Sequence, residues 1–158
     1  MPPVQKPHSS GQTVYTPTEF LDAVQARFGR IILDAASDRG NVCSVWFGPG
    51  GVAPDGLATQ WPRGGLVWCN PPFRDARKWA RKCAEELRER DVYSVMLVPL
   101  ALETRWFEAI EHHCVAHVLR PRLRFVGHAH DYPKGLMLLG FNPSRVESSG
   151  IIPWRWKW

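Results

Sequence analysis

The spacing of apolar residues changes period several times along this chain, and each change marks an element. In "YTPTEFLDAVQARFGR", Phe20, Leu21, Val24 and Phe28 recur at helical spacing, which predicts an amphipathic helix. Thr16 is placed to cap it, Pro17 suits the first helical position, Glu19 completes a capping box and Gly29 can end it. "RIILDAAS" follows as a short, continuously apolar run ending at Asp34, the pattern of a buried strand. "GLVWCN", "VYSVMLVP" and "CVAHVL" repeat that pattern. Between them, "RDARKWARKCAEELRER" puts Trp79, Ala80, Cys83, Ala84 and Leu87 on one helical face, and "ETRWFEAIEHH" reads as a further helix. Near the end, "RLRFVG" and "LMLLGFN" are expected to pair as a closing hairpin across "HAHDYPKG".

Strands alternating with helices predict an α/β fold with a mostly parallel, Rossmann-like sheet covered on both faces and an antiparallel C-terminal hairpin at one edge. The stretch from Asp38 to Gly65, with "FGPGG" and "APDG" as turns, has room for one or two short elements, so the fold is shortened in the middle. Residues 1–12 read as a loose leader and residues 13–158 as a single domain that includes a tail rich in Trp, Arg and Lys. In sheets of this type ligands gather beyond the carboxyl ends of the strands. Asp34 and Asn70 both fall at such ends, and are therefore expected to share one crevice.

Charge sharpens the choice of partner. A formal net charge of +5 favours a polyanion. The apolar runs are strand-sized and no signal peptide stands at the start, so a cytoplasmic protein without a membrane or an obligate protein partner is expected. The cysteines Cys43, Cys69, Cys83 and Cys114 form no CxxC pair, and the histidines near Cys114 match no common zinc spacing, so no metal is expected.

The chemistry concentrates in "VWCNPPFRDARKWARK", where a buried strand ends on an amide followed by two prolines and an aromatic. The Asn70 side-chain oxygen accepts hydrogen bonds and stays unprotonated near neutral pH. Pro71 and Pro72 stiffen the backbone and leave carbonyl oxygens without ladder partners. The Asn70 oxygen and the Pro71 carbonyl can together hold a group with two N–H donors, such as the exocyclic amine of a nucleobase, while Phe73 offers a stacking face. Two acceptors on the amine favour a more tetrahedral nitrogen whose lone pair can attack an electrophilic methyl. As a bland alternative, the same four residues would form only a strand-ending turn.

"NPPF" resembles the [DNS]PP[YFW] motif of the amino-methyltransferases that act on DNA. The ordered set "YTPTEF", "FGRIILDAASDRGN", "DGLATQW", "VWCNPPF" and "RPRLRF" resembles the small phage and prophage adenine methyltransferases of the Dam type. That resemblance implies a compact class I methyltransferase sheet, S-adenosylmethionine as cofactor and the N6 amine of adenine in DNA as substrate, reached by base flipping. It assigns Asn70, Pro71, Pro72 and Phe73 to the target base. Tyr15, Thr16 and Pro17 would lie at the methionine end of the cofactor, Asp34 and Ala35 near its amino group or ribose, and Asp55 at its adenine amine. One departure stands out: "DAASDRG" lacks the glycines that many methyltransferases carry after the first strand.

Basic residues crowd the helix after NPPF. Arg74, Arg77, Lys78 and Arg81 oppose the helix dipole there, and are expected to meet DNA phosphates. Arg122 and Arg124 share a face if "RLRF" is a strand, lining either the DNA side or an exposed edge. In the tail, Trp154, Trp156 and Trp158 alternate with Arg155 and Lys157, a pattern that suits base stacking or docking onto the body. Three functional readings remain open on sequence: an adenine methyltransferase, a non-catalytic DNA-binding protein that keeps the fold, and a methyltransferase acting on cytosine N4 or a protein glutamine.

Overall fold

The computed structural model describes residues 15–38, 40–144 and 150–158; the expected leader, residues 1–12, lies outside them. Helix α1 (Thr18–Phe28) is followed by strands β1 (Ile31–Asp34) and β2 (Leu66–Cys69), helix α2 (Ala76–Arg90), strand β3 (Tyr93–Pro99), helix α3 (Arg105–Ile110), and strands β4 (Val115–Arg120), β5 (Leu136–Phe141) and β6 (Gly150–Arg155). These strands form one six-stranded sheet in the order β1-β2-β3-β5-β4-β6. Every neighbouring pair is parallel except the two made by β5. The expected mixed α/β sheet, mostly parallel with antiparallel pairing, is what forms.

Strand alternation divides the core into two layers. Val67, Cys69, Met96, Val98, Met137 and Leu139 face α2 and α3. Leu66, Trp68, Val95, Leu97, Leu136 and Leu138 face α1 and the segment around Leu123 and Phe125. All four residues of β2 and all six of β5 are buried, which explains their unbroken apolar runs. Helix α2 ends on Asp91 in the left-handed region (φ 56°), with its N–H on the Leu87 carbonyl.

Two local expectations differ from the structure. The segment 122–125 is no strand, and β5 pairs with β3 and β4 instead of with it. Both hydrogen-bonding edges of β5 are taken by β3 and β4, and core layers cover both of its faces, so no edge is left for 122–125 to pair with. The alternation in "RLRF" is nevertheless real. Leu123 and Phe125 are anchored in the core while Arg122 and Arg124 stay exposed, so a loop carries the period of a strand. The tail supplies the sixth strand, β6, parallel to β4. Trp154 is buried in it, Trp156 donates its indole N–H to the Pro121 carbonyl (2.8 Å), and Trp158 is fully exposed. Docking therefore accounts for the first two tryptophans.

Among the described residues, no helix is long and apolar enough to cross a membrane, and no three His, Cys, Asp or Glu side chains converge as a metal site.

Candidate active site

β1 and β2 run side by side with Asp34 opposite Trp68, so Asp34 and Asn70 emerge at the same carboxyl end of the sheet. A cavity of about 400 Å³ opens there, lined by both residues, by Tyr15, Thr16 and Ala35, and by Asp55 across from them. The shared crevice expected from the strand ends exists.

Its far wall comes from the turn-rich middle segment. The Asp34 N–H donates to the Val45 carbonyl (3.1 Å), its carbonyl accepts from Phe47 (2.9 Å), and Ser37 N–H donates to the Phe47 carbonyl (3.0 Å). Residues 45–47 thus lie alongside the end of β1 as a single parallel bridge. Gly48, at φ 147°, sits where a side chain would collide with the Ser37 carbonyl, and a side chain on Gly56 would collide with that of Ala35. Close approach to the loop after β1 is therefore made by glycines on the facing segment. The carbonyls of Ala35 and Ser37, in that glycine-poor loop, pack against them, which gives the departure noted in the sequence a structural counterpart.

Asp34 is 3% exposed. Burial pushes its carboxyl up to about 6, against the backbone N–H of Ala36 (3.3 Å) and the Ser37 hydroxyl, which favour the charged form, and with a small added repulsion from Asp38. An acid kept at that cost, in a cavity wall, is poised to meet a donor or a cation. Asp55 is exposed at the rim, where its carboxylate accepts from Leu57 N–H at 2.8 Å. Its turn role and its place in the wall coexist.

Thr16 does not cap α1. The N-cap position is Pro17, whose carbonyl receives the N–H groups of Phe20 (3.1 Å) and Leu21 (3.2 Å). The Thr16 hydroxyl instead accepts from the Asn70 side-chain N–H at 3.1 Å, across 54 positions of sequence. That bond takes the nitrogen end of the amide and leaves Oδ1 as its free end. Among the described residues neither Asn70 Oδ1 nor the Pro71 carbonyl has a hydrogen-bond partner, whereas the Pro72 carbonyl is taken by Asp75 N–H (2.9 Å).

Other expected site residues lie apart. Pro72 lines the cavity, while Pro17, Pro71 and Phe73 do not. Phe73 is half-buried and meets Tyr132 edge-on, with ring centres 5.5 Å apart. Tyr132 belongs to the 121–135 segment, which Arg122 braces through the Pro133 carbonyl (2.8 Å) and Arg124 through Asp131 (3.3 Å). Arg74, Arg77, Lys78 and Arg81 are all exposed, but only Arg77 and Arg81 turn toward α3. Phe47 and Trp79, both 7% exposed, form aromatic parts of the cavity wall that the sequence did not disclose. Trp79 had only the signature of a core face, and Phe47 lay hidden in a turn.

This arrangement offers acceptors at one end, two carboxylates, and apolar walls between them. A family model described as DNA N-6-adenine-methyltransferase (Dam) matches residues 4–142, which include the whole cavity. A DNA N-6-adenine-methyltransferase of Escherichia phage T1 is 29% identical over 93 residues, covering 58% of this chain and 37% of the phage protein. The chain thus matches little more than a third of that relative's length. With most of its residues, cavity included, inside the family match, this chain belongs to the DNA N-6-adenine-methyltransferase (Dam) family.

Proposed function

We propose that the protein transfers a methyl group from S-adenosylmethionine to the N6 amine of adenine in DNA. One observation carries the reading: Asn70 lines the same cavity as buried Asp34, with its amide nitrogen held by Thr16 and its oxygen left free.

The cavity fits the cofactor. Its volume lies in the roughly 300–1,000 Å³ range of small-molecule sites. Its acceptors, Asp34 and Asp55, answer the ammonium, ribose and adenine donors of the cofactor, and Phe47 and Trp79 offer apolar walls. When bound, the cofactor supplies an electrophilic methyl on a sulfonium. The chain's own residues do the rest. Asn70 Oδ1 and the Pro71 carbonyl accept the two amine hydrogens, which localises the nitrogen lone pair and aims it. Held this way, the amine lone pair would accept the methyl in line while the methyl–sulfur bonding pair stayed with the departing thioether, and the amine would then shed one proton. Flipping the base out of the stack costs a few kcal/mol. Phe73, just before α2 and edge-on to Tyr132, would stack on the flipped base. Arg74, Arg77, Lys78, Arg81, Arg122 and Arg124 supply the positive surface for phosphates.

The test is incubation with labelled S-adenosylmethionine and unmethylated DNA, followed by mass spectrometry of the nucleosides. N6-methyladenine is expected, and Asn70→Ala should abolish it while cofactor still binds. Cofactor binding without a modified nucleoside would overturn the assignment.

Thr16 acts as a positioning residue. Thr16→Val frees the Asn70 amide to rotate and is expected to lower kcat by roughly 10–100-fold, the order of a misplacement near 1 Å. Thr16 also lines the cofactor cavity, so KM for the cofactor should rise as well, but by less than kcat falls. Thr16→Ser keeps the hydroxyl and should restore the rate; equal loss in both variants would show that size, not the hydroxyl, matters.

A further inference from the structure

A second cavity, of about 630 Å³, lies between α2 and α3, away from Asp34 and Asn70. Arg77, Arg81 and Arg88 line it from α2 at helical spacings of four and seven, and Arg105 and Trp106 from α3. Glu85 is the one carboxylate in its wall. Among the described residues Arg77, Arg81 and Arg105 make no ion pair or hydrogen bond, and Arg88 meets only exposed Glu89, at 3.4 Å.

Stability does not explain this collection. Arg77 lies in the first turn of α2, which contains no acidic residue, and Arg105 is the first residue of α3. Cations at those positions oppose the helix dipole. Four arginines around one glutamate also repel one another unless an anion joins them. We infer that this groove is a subsite for a single strand of DNA beside the target base, with phosphates on the arginines and a base on Trp106.

The dimensions favour a strand. From Arg77 to Arg88 the helix rises about 16 Å, at about 1.5 Å per residue, enough for several phosphates. A cavity of about 630 Å³ holds nucleotides of one strand but is far too small to take in a duplex. Half-buried Trp106, edge-on to Phe107 at 6.1 Å, is the kind of platform on which single-stranded nucleic acid stacks without regard to sequence. The groove starts at Arg77, in the first turn of the helix that follows Asn70-Pro-Pro-Phe, so a strand leaving a flipped base meets its near end.

This inference rests on the proposed action on DNA, and its test separates the two. Fluorescence anisotropy would measure binding of a labelled single-stranded 20-mer and of the matching duplex across a salt series, for the parent and for Arg88→Gln/Arg105→Gln. Both arginines are exposed, and the small dipole gain at Arg105 and loss at Arg88 oppose each other, so the melting temperature should stay within about 2 °C of the parent. For the single strand, log affinity against log salt should become shallower by about 1.4, from two contacts at about 0.7 each. The duplex should lose less. An unchanged slope, in a parent that forms N6-methyladenine, overturns the groove and leaves the function standing. A shallower slope in a parent that forms none upholds the groove and overturns the function. Equal losses for strand and duplex, or preferential binding of a free nucleoside triphosphate competed away by inorganic pyrophosphate, would also overturn the single-strand assignment.

Discussion

Asp34→Asn is expected to yield a protein that is more stable above pH 6 and a poor binder of cofactor. The sign follows from the direction of the shift. Burial raises the folded-state pKa of Asp34 from 3.8 to about 6, so the folded state binds this proton more tightly than the unfolded chain does. The stability it contributes is complete below about pH 3.8 and is lost as pH rises through about 6. A shift near two units corresponds to about 3 kcal/mol. The amide in Asp34→Asn carries no charge to desolvate and keeps an oxygen for Ala36 N–H. Denaturant midpoints should therefore show a gain of up to about 3 kcal/mol at pH 8 that largely disappears near pH 4. Calorimetric titration with S-adenosylmethionine should show the opposite cost, roughly 10–100-fold weaker binding, the value of a hydrogen bond to a charged group. In the parent protein cofactor binding should tighten as pH rises through 6. Equal stability of the two proteins at pH 8 would show that Asp34 carries no such penalty.

Glu86→Ala should produce the largest loss of stability. Glu86 is 4% exposed, and its carboxylate takes Lys82 Nζ at 2.6 Å, Arg90 Nη1 at 2.9 Å and Trp61 N–H at 3.4 Å. Arg90 also donates to the Trp61 carbonyl (2.7 Å), and the buried Trp61 indole donates to the Gly56 carbonyl (2.8 Å). Gly56 in turn abuts the Ala35 carbonyl at the cavity wall. Removing the carboxylate leaves Lys82, whose side chain is 14% exposed, as an uncompensated cation beside Trp61. Breaking a buried pair in this way costs about 3–5 kcal/mol, less here because Arg90 reaches solvent. A loss of roughly 2–4 kcal/mol would lower Tm by about 5–15 °C for a chain of this size. Glu86→Gln, which keeps an acceptor, should fall between. A Tm within 2 °C of the parent for Glu86→Ala, a shift of roughly 1 kcal/mol or less, would remove Glu86 as the brace of that wall.

The elements most legible in the sequence are those whose burial is decided locally. Phe20, Leu21 and Val24 mark α1, and the runs at β1, β2 and β3 could be read because both faces of each strand are covered. Asn70 and Asp34 were visible as site residues because strand ends in a parallel sheet converge. Thr16 misled because a threonine before a helix has the same signature whether its hydroxyl caps locally or reaches residue 70. The middle segment was opaque for a different reason. Its order comes from backbone bonds between Asp34 and 45–47, from glycines pressed on carbonyls, and from Trp61 held by α2, none of which has a period. β6 was hidden because Pro153 and the exposed Arg155 break the apolar run that marks the other strands.

The position of β5 has a consequence for how the chain is made. β3 and β4 do not touch each other in the ladder; β5, later in sequence than both, is the strand that joins them. On a ribosome adding about 5–20 residues per second, β4 emerges about 1–4 s before β5 is complete. Until then one edge of β3, with its run of buried-type residues, and both edges of β4 stand open, and the half of the sheet that carries Asp34 and Asn70 is not yet coupled to the rest. The stretch Leu136–Phe141 is thus a closing keystone during biosynthesis, and substitutions in it should lower the yield of correctly joined nascent chains as well as weaken the packed core of the finished protein.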